Sequence, residues 1–452
     1  MPNAERPTHP QDLSLRAQAA AIGAGELDPS DLLAATLARI DERDTKLNSI
    51  VAGSPGEAER MLAAAPDGPL HGVPVAIKDM FALPWRAPRD GSAREQIPRG
   101  ESGMYRSLLE AGAIVVGVTN MHFWGGGSTG HISAYGPVGN PWDLERCGGG
   151  SSGGSAAAVG ARLVAAAVGT DGGGSVRLPA AYCGITGLKA TFGSTPIDGY
   201  THGYSTMGAA GPMCRDAGDT RLFGEILTGR PLPAADASGL RAGIVRTPFW
   251  EDLDPEVDSA CRAALGAGGW STPELTLAGA EHAAIATVLR LTLEGLPSLG
   301  RDELEEAEPV ARALAKYALL FPARLLLRAD RVRALVRREL ATAFERCDVL
   351  AWPTVPAPAP PIAAPTVTLP SGPAPPDPGN VRQCGIANLA GIPAISIPVG
   401  LHSSGLPMAL QLLAPWGEEA RLLDAAEHVE RATGREHVDA VPPIAAAEPA
   451  RV

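Results

Sequence analysis

The chain has 452 residues, 45% of them hydrophobic and 19% charged, with 50 acidic against 38 basic side chains and a net charge of -12. These values exclude a disordered chain and a coiled coil, and they argue against a duplex nucleic-acid binder, which carries a basic face or stripe. The 53 Gly and 42 Pro residues follow no three-residue period, so they belong to loops and tight turns rather than to a collagen-like helix.

In chain order, the opening MPNAERPTHPQDLSLRAQAA lacks an apolar leader core, and no uncharged apolar run reaches the length of a membrane span. The expectation is a cytoplasmic protein without membrane attachment. Residues 11–65 read as amphipathic helix, with Leu32, Leu33, Thr36, Leu37 and Ile40 on one face and Asp28 or Ser30 as cap. From His71 the pattern changes. HGVPVAIKD reads as a short apolar strand ending at Lys78 and Asp79, followed by a helix around Tyr105–Ala111 and a β-branched strand over Ala113–Val118. Helix and buried strand in alternation predict an α/β layered core.

Residues 147–187 hold two Gly-Ser loops, CGGGSSGGS and GGGS, on either side of AAAVGARLVAAAVGTD, which reads as one close-packed small-residue helix. Residues 255–345 read as mostly helical and as a cap over the site, including the segment ELEEAE. Their basic run Arg324, Arg328, Arg331, Arg333, Arg337 and Arg338 reads as a solvated helix face. Cys347–Pro353 reads as a strand, and the Pro-rich residues 355–379 as a stiff, extended surface crossing. Ala394–Val399 and Met408–Leu413 read as strands that pair near a sheet edge, and a helix near Glu418–Thr433 closes the pattern. The division expected is an N-terminal helical segment over 1–68 and a catalytic domain over 69–452, in one continuous globule.

Several short patterns are set aside by their context. Gly125, Gly127 and Gly130 match G-x-G-x-x-G, but no strand leads directly into them and no helix opens after them. Gly149, Ser151 and Gly153 match G-x-S-x-G, but the preceding NPWDLERC does not read as the strand a nucleophile elbow needs. Six widely spaced cysteines contain no C-x-x-C and read as reduced, buried thiols; nine scattered histidines contain no H-E-x-x-H. No metal or organic cofactor is expected.

What remains is Lys78, Ser151 and Ser175. An ammonium at the end of an apolar strand loses proton affinity and in its neutral form serves as a base. Ser175 follows Gly172, Gly173 and Gly174, whose successive amides suit a developing oxyanion. Ser151, in the other Gly-rich loop, is placed to carry a proton between the amine and the nucleophile, which needs such activation.

The runs G72-V-P-V-A-I-K78-D, N140-P-W-D-L-E-R-C-G-G-G-S-S-G-G-S-A-A-A, G169-T-D-G-G-G-S-V-R-L-P-A, C183-G-I-T-G-L-K, N388-L-A-G-I-P-A-I-S-I-P-V-G and G405-L-P-M-A-L-Q resemble the amidase signature family over about residues 12–435. The resemblance implies an α/β amidase-signature fold, with a central mixed β-sheet flanked by helices on both faces. It implies an amidohydrolase that cleaves the C–N bond of a small-molecule amide through an acyl-enzyme. It assigns Ser175 as nucleophile, Ser151 as a bridging serine after a cis peptide bond, and Lys78 as base. The amides of Gly172, Gly173, Gly174 and Ser175 become the oxyanion hole, with Ser152, Asp171 and Arg177 in support. Met121, His122, Phe123, Trp124, Gly125, the stretch Ile197–Tyr204 and Cys384 become candidates for the substrate pocket.

Some motifs depart from the family pattern. T-D-T-G-G-S becomes T170-D-G-G-G-S175, G-L-K-P becomes G187-L-K-A190, and S-L-D-x-x-G-P becomes T206-M-G-A-A-G-P212. These departures leave Lys78, Ser151 and Ser175 in place and bear on the substrate rather than on the chemistry. The leading expectation is a stand-alone amidase with a small amide as partner, no nucleic acid and no membrane, and a homodimer left open. The alternatives are a glutaminase-type component of a tRNA-dependent amidotransferase, and a hydrolase of ureas, carbamates or esters.

Overall fold

Most strands of this chain are short, apolar and buried, and those of the main sheet pair on both edges except at its ends. In the N-terminal half they are β1 (Ile50–Ala52), β2 (Pro74–Lys78), β3 (Ile114–Thr119), β4 (Gly139–Asn140), β5 (Asp143–Cys147), β6 (Ala166–Asp171), β7 (Thr186–Lys189) and β8 (Ala209–Cys214). In the C-terminal half they are β9 (Ala242–Val245), β10 (Glu274–Leu275), β11 (Val349–Pro353), β12 (Val367–Leu369), β13 (Gly372–Ala374), β14 (Ala394–Leu401) and β15 (Pro407–Leu413). The computed structural model describes residues 9–97, 100–201, 206–295, 305, 309–434 and 439–446. Eleven strands form one sheet in the order β1-β3-β2-β6-β8-β7-β14-β15-β11-β9-β10. The sheet is mixed: β2 runs parallel to β3 and β6, whereas β6, β8, β7, β14, β15 and β11 alternate in direction.

Helices cover both faces. In one half, β2, β3 and β6 share an apolar core with the helices Leu15–Gly23, Pro29–Leu47, Gly103–Glu110 and Gly153–Gly160. In the other, β11, β14 and β15 share a core with Pro255–Ala267, Arg324–Arg346 and Glu419–Ala432.

Several expectations are corrected. The small-residue segment after Ser155 is not one helix. It ends as helix at Gly160, turns through Arg162 at φ 59°, and continues as β6. Alanine carries little steric preference against a strand, and a slot between β2 and β8 decides the outcome. Strands β14 and β15 pair with each other, but in the interior of the sheet; their continuous apolar runs, buried on both faces, are the mark of inner strands.

The Pro-rich stretch is not a surface crossing over its first part. Val355, Ala357 and Ala359 are buried, and Val355 and Ala359 pack with Leu178, Tyr182 and Cys384. Proline brings no N–H, so an extended buried segment rich in it leaves fewer donors to satisfy. The segment before the first serine loop is a strand after all, but β5 belongs to a two-stranded ribbon with β4, outside the main sheet. Strand β1, inside the region read as all helix, joins the sheet beside β3.

The cap region divides. Pro255–Ala267 lies against the sheet, and Ala280–Gly295 packs on Arg324–Arg346 and Pro376–Ala390. The ELEEAE segment lies outside the described residues, apart from Glu305. Arg333 departs from the solvated face: it is half-buried and its Nε donates to the Leu389 carbonyl at 2.7 Å, whereas Arg337 is exposed as expected while its Nε donates to the Ala390 carbonyl at 2.8 Å. These are terminal carbonyls of the Pro376–Ala390 helix, which need outside donors. Among the described residues no helix is long and apolar enough to cross a membrane. All six cysteines are buried and none forms a disulfide.

The helix that follows the first serine loop meets the sheet too closely to admit side chains. A Cβ at Gly154 would stand 2.4 Å from the carbonyl oxygens of Ser49 and Asn120. Gly154→Ala therefore lowers stability by about 3 kcal/mol, from overpacking against backbone that has nowhere to move; urea denaturation measures it, and an unchanged midpoint contradicts the packing described.

Candidate active site

Three loops meet at the C-terminal ends of β2 and β6. Strand β2 runs parallel to β6 with Ile77 opposite Val168, so Lys78 emerges beside Thr170. The Gly-rich loop before the helix Gly153–Gly160 brings Ser151 and Ser152, with the Gly150–Ser151 peptide cis. The loop between β6 and the helix Arg177–Cys183 brings Gly172, Gly173, Gly174 and Ser175.

Lys78 is fully buried. Its Nζ lies 2.7 Å from Ser151 Oγ, 2.9 Å from Ser152 Oγ and 2.8 Å from Thr170 Oγ1. Burial pulls its pKa down to about 7, against the opposing attraction of Asp90 and Asp171. The three hydroxyls are not equivalent. Ser152 commits its own proton to the Thr170 carbonyl at 3.2 Å, and Thr170 directs its hydroxyl at Met80 Sδ at 3.4 Å. Both are thereby left to accept from the amine. A neutral amine has two N–H bonds and one lone pair, so the lone pair falls to the Ser151 hydroxyl. This is the arrangement a base needs toward a relay.

Ser175 is half-buried, and its carbonyl accepts from the Ser152 amide at 3.2 Å, which ties the two serine loops together at the backbone. Asp171 and Arg177 form a fully buried bidentate pair, Nε to Oδ2 at 2.9 Å and Nη2 to Oδ1 at 3.0 Å. Burial opposes ionisation of Asp171, but Arg177, Lys189 and the Asn388 amide outweigh it and hold the carboxyl far below the usual range. Asp171 Oδ1 also accepts from the Gly174 amide at 2.7 Å. That bond corrects the expected donor set: the Gly174 N–H is committed to the carboxylate, and Gly172, Gly173 and Ser175 remain as candidate oxyanion donors. Gly174 itself sits at φ 125°, and a Cβ there would come within 2.7 Å of Cys384 Cβ.

The pocket candidates are dispersed around this centre. The His122 amide donates to the Ser151 carbonyl at 3.0 Å, which brings the 121–125 segment beside the relay. Burial pulls the His122 imidazole down to about 4, so it is neutral near pH 7. Met121, Phe123 and Trp124 are buried, and the Trp124 amide donates to the Asp90 carbonyl, on the far side of that segment. Gly125 closes the turn, at φ 67°. Cys384 is buried against Gly174. Of Ile197–Tyr204, residues 197–201 run beside Met80–Ala82, and residues 202–204 lie outside the described residues. Among the described residues no cluster of three His, Cys, Asp or Glu is placed to hold a metal ion.

Sequence reasoning gave no role to Thr170, Asn388 or Gln411. Asn388 Nδ2 donates to Asp171 Oδ1 at 2.8 Å, and Gln411 accepts from Arg177. The signal was present for Thr170, which directly precedes Asp171; the other two are more than 200 residues away in sequence from their partners.

The Amidase family model matches residues 31–423. The chain belongs to the Amidase family. The glutamyl-tRNA(Gln) amidotransferase A-subunit from Anaeromyxobacter sp. (strain K) is 35% identical over 484 residues, covering 93% of this chain and 96% of that protein. Proteins of that name from other sources match at 31–35% identity. Among solved structures, an amidase is 28% identical with a TM-score of 0.88, covering 93% of this chain and 100% of that one. A 6-aminohexanoate cyclic dimer hydrolase complexed with substrate is 25% identical with a TM-score of 0.85, covering 96% and 99%. The family fold and its chemistry follow: this is an amidase-signature hydrolase acting on amide C–N bonds.

With Lys78 as the base, only the neutral amine is competent, and this expectation gives the pH profile its sign. Below about 7 Lys78 is protonated, its lone pair is lost, and kcat/KM falls about tenfold per pH unit; above it the profile flattens. Lys78→Met lowers kcat by at least about a thousandfold at every pH. Initial rates between pH 5 and 9 check both, and an acid limb that persists at the same pH in Lys78→Met assigns it to another group.

Proposed function

We propose that Ser175 attacks the amide carbonyl while its proton passes through Ser151 to Lys78. A C–O bond forms and the tetrahedral oxyanion is met by the amides of Gly172, Gly173 and Ser175. The C–N bond then breaks, and the proton returns along the same relay to the leaving nitrogen. Water next attacks the ester with Lys78 again as base, releasing the acid and restoring the Ser175 hydroxyl. The observation that carries this reading is the 2.7 Å contact between a fully buried Lys78 amine and the Ser151 hydroxyl.

The choice of amide separates two readings. Full-length relatives named as amidotransferase A-subunits, at 31–35% identity, support a glutamine-hydrolysing component that hands ammonia to partner subunits. They back that reading better than the stand-alone enzyme that was the leading expectation from the sequence. The stand-alone reading keeps the support of the amidase structure at a TM-score of 0.88 and of the cyclic dimer hydrolase at 0.85.

The test uses the purified chain with a fluorophosphonate probe and a panel of glutamine, simple primary and secondary amides, and ureas. Wild type takes the probe and Ser175→Ala does not; equal labelling of the variant removes Ser175 as nucleophile. Ammonia from glutamine that rises when co-purifying subunits are present supports the amidotransferase component. Turnover of simple amides by the isolated chain, with glutamine inert, supports the stand-alone enzyme.

A further inference from the structure

The turn that leads into β8 is gripped from two helices. Thr206 Oγ1 lies 2.7 Å from both carboxylate oxygens of Glu294, to which it donates, and it accepts from Arg290 at 2.8 Å. The Thr206 carbonyl accepts from Arg333, whose Nε donates to the Leu389 carbonyl at 2.7 Å. Arg290 also pairs with Glu294 and Asp330. Arg290 and Glu294 stand on Ala280–Gly295; Asp330 and Arg333 stand on Arg324–Arg346.

From this turn a short chain of bonds reaches the nucleophile loop. The Met207 carbonyl accepts from Asn388 Nδ2 at 3.5 Å, and the same amide group donates to Asp171 O at 2.9 Å and Oδ1 at 2.8 Å. Asp171 then holds the amides of Gly174 and Val176 at 2.7 and 3.2 Å. The backbone gives a second route, since Ala209 of β8 pairs with Asp171 of β6. The pattern S-L-D-x-x-G-P places an acidic residue at 208; here Gly208 has none, and Glu294 supplies a carboxylate to the turn from a separate helix.

We propose that Thr206 is a positioning residue for the hydrolytic step, resting on the amide-hydrolase reading above. Its hydroxyl, held between Glu294 and Arg290, fixes the 206–208 turn, and through Met207, Asn388 and Asp171 it fixes where the Gly172, Gly173 and Ser175 donors stand. Because those donors meet charge that develops only in the transition state, the effect falls on kcat rather than on KM.

Hydrolysis of p-nitrophenyl acetate, with fluorophosphonate labelling rates alongside, tests this on the whole chain. Thr206→Val keeps the branched shape and removes the hydroxyl. It lowers kcat about tenfold with KM within about twofold, and Thr206→Ser returns kcat to within about threefold of wild type. An unchanged kcat in Thr206→Val overturns the proposal. So does a loss that tracks a lower melting temperature and that serine leaves unrestored. Should Thr206→Val not fold, Glu294→Gln decides: kcat about threefold lower at unchanged KM supports the role, and wild-type kcat ends it. Ser175→Ala separates the two claims. If it hydrolyses the ester like wild type, the amide-hydrolase reading fails; if it is inactive while Thr206→Val matches wild type, only the role of Thr206 fails.

Discussion

The buried pair of Asp171 and Arg177 is the constraint on which the site depends. Every donor of the guanidinium is used: Nε and Nη2 on Asp171, Nη2 also on Asn388 Oδ1, and Nη1 on the Cys384 carbonyl and on Gln411. The carboxylate is equally full, with the amides of Gly174 and Val176 and the Asn388 amide group added to Arg177. Two charges taken out of water are tolerated only under such saturation, and removing one partner from a buried pair costs about 3–5 kcal/mol. What this secures is the end of β6, the start of the helix Arg177–Cys183, the Pro376–Ala390 helix and β15, all at one point.

Two buried lysines show why surroundings rather than burial alone make a base. Burial pulls both Lys78 and Lys189 down to about 7. Lys189 donates to the carbonyls of Ala190 and Ile392, at 2.8 and 2.9 Å. A carbonyl has no proton to give, so an amine so placed can only donate. Lys78 faces hydroxyls, one of which has its proton uncommitted. The same shift therefore marks a structural tie in one case and, on the reading proposed above, a proton acceptor in the other.

Much of this was legible in the sequence because its signals are local. The apolar strand ending at Lys78, the two Gly-Ser loops and the β-branched strand read over residues 113–118 each carry their meaning within a short stretch of chain. The rest depends on contacts across long separations. The alanines of β6 read as helix because only β2 and β8, paired to it from elsewhere in the chain, make them a strand. Val355 to Ala359 read as surface because proline-rich composition says nothing of what packs above it. The Gly174 amide read as an oxyanion donor because its partner, Asp171 Oδ1, is fixed by Arg177 and Asn388 rather than by loop spacing.

The stitching of the Pro-rich segment to the β4–β5 ribbon has a consequence for synthesis. The Cys147 amide donates to the Pro360 carbonyl and the Ile362 amide to that of Glu145, and the groups that saturate Arg177 beyond Asp171 come from residues 384, 388 and 411. A nascent chain emerges N-terminus first. When all three reactive groups have left the ribosome, the residues that complete the packing of their loops are still untranslated. The hydrogen bonds that saturate the Arg177 guanidinium beside the second serine loop are therefore completed only once residues 384, 388 and 411 have been made.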